Sequence, residues 1–228
     1  MKLVKFLIAI AIGLAGIYFL LAPPHYSWRQ KLTVSVTTPQ GPVKGSAVMQ
    51  VDIYDLRRFS FGFPEASGAN SSFSGEAVAV EVTPGHFLFV LLENSSHNGG
   101  PNDWPAYIWY KSRMTLEDFV SRIKQQRGKE PEPLPQKSWP LMAAFDDLSR
   151  PETVHIITGT DLSPWFGPGV KVDGLTLQIT GEPMTKGRIE TLLPWLLPAG
   201  FERGPVALPP APFLSLAAFL SADHWSKK

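Results

Sequence analysis

The residues able to do chemistry in this chain are few and scattered. Its five histidines are His25, His86, His97, His155 and His224. A metal site wants imidazoles on one face, as His-x-x-x-His on a helix or His-x-His on a strand. No pair has either spacing, so the sequence predicts no metal and no cofactor. His155 lies in an apolar stretch and reads as a satisfied core or edge histidine. Cysteine is absent, which removes disulfides, thiolate zinc, a cysteine nucleophile and the lipidated cysteine of a bacterial lipoprotein. Asp146 and Asp147 are adjacent, and neighbours on a helix or strand point apart. They read as capping or solvated carboxylates rather than an acid–base pair. The loop from Glu93 to Asp103 is dense in the oxygen ligands that hard cations take. Its spacing fits no calcium loop, and it reads as a solvated loop.

Other motifs are equally spare. Gly167-Pro168-Gly169 resembles a phosphate loop only on the surface, since its proline has no amide hydrogen to offer; a turn is expected. There is no Gly-x-Ser-x-Gly elbow and no Gly-x-x-x-x-Gly-Lys loop. The catalytic residues are therefore unknown at this level. A hidden enzyme would show itself as a deep pocket lined by His155, His86 or Asp103. Asn70 and Asn94 head Asn-x-Ser sequons, which matter only in a eukaryotic secretory pathway. Trp104, Trp109, Trp139, Trp165 and Trp195 are expected in core and turn packing; several exposed together would form a binding platform. With 21 lysines and arginines against 20 aspartates and glutamates, the net charge of +1 argues against a nucleic-acid partner.

The elements that must position these residues begin with a greasy leader. From Phe6 to Ala22 the chain carries no charge, enough for a helix of about 25 Å, at the short end of a hydrocarbon core. Pro23-Pro24 stops it, and Tyr18, Tyr26 and Trp28 suit the headgroup zone. Residues 1–24 are thus expected to be an uncleaved transmembrane anchor, with a cleaved signal peptide or a buried core helix as alternatives. Lys2 and Lys5 favour an inside N-terminus, against a weak counter-signal from Arg29 and Lys31.

Beyond residue 24, about 18% proline plus glycine breaks the chain often, which suits many short strands. Leu32–Val36 alternates as a half-buried strand, returning at Ala47–Ile53 through a loop longer than two residues. Phe59–Phe63 is a short or edge strand, and residues 65–75 a surface loop. Glu76–Val82 alternates, while Phe87–Leu92 is continuously apolar, as for a strand covered on both faces. Ala106–Tyr110 reads as a further strand. Met114–Arg127 is the clearest helix, capped by Thr115 with Asp118 and ended by Gly128. Lys129–Pro140, with four prolines, is a linker or an extended surface segment.

In the second half, Thr153–Thr158 and Val170–Thr180 are strands. Asp161–Phe166 is one helical turn capped by Thr160 or Asp161, and Lys186–Leu193 a short helix. A proline-rich, apolar tail covers 198–228. Within it Phe213–Leu220 is expected to be helical and to dock on the domain; with Trp225 and the last two lysines it has an interfacial helix as alternative.

The fold class expected is mainly β or α+β: a single antiparallel β-rich domain over 25–228 with one covering helix, preceded by a transmembrane helix. The stretch Asp161-Leu162-Ser163-Pro164-Trp165-Phe166-Gly167-Pro168-Gly169-Val170, its following strand and Leu193-Pro194-Trp195-Leu196 resemble a group of membrane-anchored alphaproteobacterial proteins with no assigned activity. With the leader and first hairpin, the resemblance covers most of the chain. It implies a bacterial envelope setting and transfers no functional residue. The function expected is a non-enzymatic binding or structural module tethered in the bacterial inner membrane, its C-terminal domain periplasmic. Its partners would be the lipid bilayer through residues 6–22 and an envelope protein or the cell wall. The alternative is an exported hydrolase or metal-dependent enzyme.

Overall fold

The computed structural model describes residues 23–56, 68–94, 99–196 and 218–220. Among these residues the strands are β1 (His25–Thr38), β2 (Gly41–Asp55), β3 (Ala69–Ser74), β4 (Val78–Thr83), β5 (His86–Asn94), β6 (Glu132–Pro133), β7 (Pro140–Phe145), β8 (Val154–Ile157) and β9 (Lys171–Thr180). They form two sheets, one ordered β3-β2-β1-β9-β6 and the other β4-β5-β7-β8. Helices are few: α1 (Trp104–Trp109), α2 (Leu116–Lys124), α3 (Ser163–Phe166) and α4 (Arg188–Leu192). The expectation of a β-rich antiparallel domain is met. No helix among the described residues is long and apolar enough to cross a membrane, and the leader of residues 1–22 lies outside them.

The chain divides into two compact units. The smaller, in its described part, holds residues 23–26, 53–56 and 68–71. There the Asp55 amide donates to the Pro24 carbonyl at 2.9 Å, and His25 stacks on Tyr54 with ring centroids 4.4 Å apart. The larger unit begins at Ser27 and contains the core.

Within the larger unit, the two kinds of apolar pattern give two kinds of strand. β1 buries Leu32, Val34 and Val36 completely and leaves the residues between them half-buried. β5 is buried on both faces from Leu88 to Leu92. One of its faces carries Phe89 and Leu91 into a cluster with Phe145, with Ile189 of α4 and with Phe219. Phe89 meets Phe145 and Phe219 edge-on, at centroid distances of 5.6 and 6.0 Å. Such buried rings each contribute about 2–3 kcal/mol by removing apolar surface from water. The two sheets approach where β2 crosses β4. A Cβ at Gly45 would lie 2.8 Å from the Ala79 carbonyl, so only glycine fits.

Several expectations need correction. β1 and β2 are joined by only Pro39 and Gln40, a tighter connection than the loop predicted. The Thr38 hydroxyl closes this turn by donating to the Gly41 carbonyl and accepting the Gln40 amide, and Gly41 takes φ 122°. Residues 69–74 form β3 rather than loop, because an edge strand pairs through its backbone and its exposed side chains can be polar. Residues 104–109 are helix α1 rather than strand, with Pro105 in the first helical turn. At α3 no side chain caps the helix, although the Asp161 carboxylate accepts the Ser163 amide at 3.0 Å.

Other readings hold. α2 carries the predicted reciprocal cap between Thr115 and Asp118. Residues 129–135 are extended, with Glu132–Pro133 pairing β9 at the sheet edge, while Gln136–Ser138 form a short 3-10 turn within the segment. The described end of the tail is docked: Ala218, Phe219 and Leu220 are fully buried, and Leu220 bridges Glu76. It ends in this bridge; residues 213–217, where a helix was expected, lie outside the described residues, as does 59–63.

Candidate functional site

Among the described residues, the histidines and carboxylates singled out in the sequence do not assemble into a metal site. His86 opens β5 and is exposed. Asp103 precedes α1 and accepts the Gly100 amide at 3.0 Å, a structural role. His155 sits on β8, an edge strand, with its Nε2 2.9 Å from Asp146 Oδ2; both side chains are exposed. Asp146 and Asp147 face different partners, as their adjacency requires. Asp147 Oδ1 accepts both the Ser149 amide at 2.9 Å and its hydroxyl at 2.7 Å. These bonds, led by the one from the Ser149 hydroxyl, hold the Asp147 carboxyl below the usual carboxylate range. Among the described residues no three His, Cys, Asp or Glu converge on a metal position. His97 and His224 lie outside those residues, as do Ser95–Asn98 of the 93–103 loop.

Of the five tryptophans singled out in the sequence, Trp165 is half-buried and the other four are packing residues. Trp104 and Trp109 are buried, while the indoles of Trp139 and Trp195 donate to the Leu134 and Leu148 carbonyls at 2.8 and 2.7 Å. Among the described residues of the larger unit the large exposed aromatics are instead Tyr107 on α1 and Tyr110 just after it.

A cleft that no sequence motif announces lies where α2 meets one end of the first sheet. It has a volume of about 510 Å³. β1 supplies Trp28 and Arg29, and β2 supplies Gln50. Lys124, the last residue of α2, and Arg127, in the turn after it, supply two cations, and Thr180 at the end of β9 with the following Gly181 completes the lining. Among the described residues three cations and no carboxylate line this space, and the Asp52 carboxylate behind the lining accepts Gln50 Nε2 at 3.2 Å.

Local structure explains the arrangement. The α2 stripe of Phe119, Val120 and Ile123 is buried, which leaves Lys124 and Arg127 outside it. The helix stops at Lys124, short of the predicted Arg127, and Gly128, at φ 77°, closes the turn that follows and donates its amide to the Ile179 carbonyl, tying this turn to β9. Cations at a helix C-terminus are favoured by its dipole. On the opposite side, the fully buried Gln30 holds the wall. Its Oε1 accepts the Trp28 indole N–H at 3.1 Å, and its Nε2 donates to the Pro101 carbonyl at 2.5 Å.

The cations differ in how they are held. Arg29 Nη1 donates to the Glu182 carbonyl at 3.2 Å, while the Glu182 carboxylate pairs with Lys31 at 3.0 Å. Gly181 leaves room for the Arg127 guanidinium, since a Cβ there would come within 2.7 Å of Arg127 Nη2. A second cavity of about 240 Å³ lies between Pro140 at the start of β7 and Ile157 at the end of β8. Neither cavity is lined by His86, Asp103 or His155.

Sequence reasoning noted Arg29 only as a flanking charge and did not single out Lys124 or Arg127. Their three-residue spacing at the end of an amphipathic helix was the available signal. Joining them to Arg29 requires the pairing of β1 with β9, Arg29 opposite Thr180.

No family model, curated protein or solved structure matches the chain.

Proposed function

We propose that the protein is a non-enzymatic binding module tethered in the bacterial inner membrane, with its β-rich domain on the periplasmic side. The observation that carries the binding reading is the cleft of three cations with, among the described residues, no carboxylate in its lining. An open, basic cleft of this size suits recognition of an anionic group. The tether reading stands on the uncharged run from Phe6 to Ala22, followed by two prolines that end any helix. Outside the cleft, Asp103, Asp147 and Asp161 each accept a backbone amide two or three residues away and so serve local turns. His155 has a carboxylate partner, yet no hydroxyl is bonded to its ring to act as a nucleophile among the described residues.

Two fractionation measurements on the full chain test this. Membranes washed with alkaline carbonate should retain the protein in the pellet, and protease added to spheroplasts should digest the domain. Release into the carbonate supernatant would overturn the tether, and full protease protection in intact spheroplasts would overturn the periplasmic orientation.

A further inference from the structure

We infer that the cleft binds the phosphodiester headgroup of an anionic phospholipid. This rests on the tether reading above for its source of ligand, and on the geometry of the cleft for its chemistry. A carboxylate is served by one guanidinium fork, whereas a phosphate offers acceptor oxygens in several directions to several cations. Here the cations come from separate places, Arg29 from β1, Lys124 from the end of α2 and Arg127 from the turn after it.

The donors left for a ligand are specific. The Arg127 guanidinium has neither an acceptor nor an ion-pair partner among the described residues, and it lies against the bare backbone of Gly181. Arg29 spends one N–H on the Glu182 carbonyl and keeps its other donors. Glu182 is the nearest competing carboxylate in sequence, and Lys31 occupies it. The Trp28 ring, fixed through Gln30, gives the cleft an apolar wall suited to the glycerol portion of a headgroup. Position along the chain supplies the source. Trp28 and Arg29 follow residue 22 by six and seven positions. An extended chain therefore reaches at most about 25 Å between the end of the apolar run and these residues.

Titration calorimetry on the full-length protein in a non-ionic detergent tests the inference. The probes are dihexanoyl-phosphatidylglycerol, dihexanoyl-phosphatidylcholine and inorganic phosphate. The anionic lipid should bind, the zwitterionic lipid at least about tenfold more weakly, and the affinity should fall as salt rises from 0.05 to 0.5 M, since these exposed charges are screened. Arg127→Ala should weaken binding about tenfold, Arg127→Lys less, and Gly181→Ala by a few-fold through displacement of the guanidinium. Lys137→Ala at the second cavity should leave binding unchanged. Binding of neither lipid, or no loss in Arg127→Ala, would overturn the site. Phosphate binding as tightly as the anionic lipid would overturn the headgroup as ligand. The tether fails separately, by release in carbonate with headgroup binding intact.

Discussion

Two polar regions of this molecule are built to opposite ends. The turn between β7 and β8 runs through Asp146, Asp147, Ser149, Arg150, Glu152 and Thr153, and nearly every charge in it has a local partner. Asp147 is satisfied by Ser149, Arg150 pairs with Glu152 at 2.8 Å, and Asp146 faces His155. The Thr153 hydroxyl accepts the Asp147 amide and lies 3.0 and 2.8 Å from the Asp147 and Arg150 carbonyls, to which it donates. The cleft beside α2 instead gathers its cations from distant parts of the chain and leaves the Arg127 guanidinium without an acceptor among the described residues. Charges consumed by their neighbours shape a turn; charges held apart from acceptors are available to a ligand. Density of charge alone does not separate the two.

The comparison breaks most visibly at Gln30. Replacing it by leucine orphans the buried Trp28 N–H and the Pro101 carbonyl together. Unmade buried hydrogen bonds make this cost about 2–4 kcal/mol, read as a lower urea midpoint at unchanged slope. A loss below about 0.5 kcal/mol would show that Gln30 does not bear the cleft wall. The turn should respond less. Thr153→Val removes a hydroxyl with three backbone contacts, for about 1–2 kcal/mol, a melting-temperature drop of about 2–8 °C. It should leave headgroup affinity untouched. A change in affinity would mean that the two regions are coupled, and the contrast between them would be lost.

How much of this was legible depends on the range of the interactions involved. The capping box at Thr115 and Asp118 spans three residues and was readable, as were the buried run of β5 and the alternation of β1. The edge strand β3 was not, because its side chains stay exposed and carry no apolar period. α1 was misread because a short run ending in Tyr-Ile-Trp-Tyr has high β-propensity, and the proline in its first turn outweighs that preference. The cleft was hidden for a different reason. Arg29 and Arg127 are 98 positions apart and line one cleft through β9, a strand far from β1 in sequence that pairs with it in the sheet.

The smallest effect sharpens the comparison through pH. Because hydrogen bonds from Ser149 lower the Asp147 pKa in the folded state, the folded protein holds that proton less tightly than the unfolded chain. The stabilisation is therefore fully present above the ordinary carboxylate pKa of about 4 and is lost as pH falls through the lowered folded value. Asp161 acts with the same sign through Ser163, so one substitution removes only part of the slope. Melting temperatures of Asp147→Asn, taken from pH 5 down to pH 2, should fall less steeply than those of the unaltered protein. Arg127→Ala removes no carboxylate and no described acceptor, so its profile should run parallel to the unaltered one. An Asp147→Asn profile as steep as the unaltered protein's would mean that the Ser149 bonds form equally in the unfolded chain. The turn would then be ordered by local sequence alone, before the sheet closes around it.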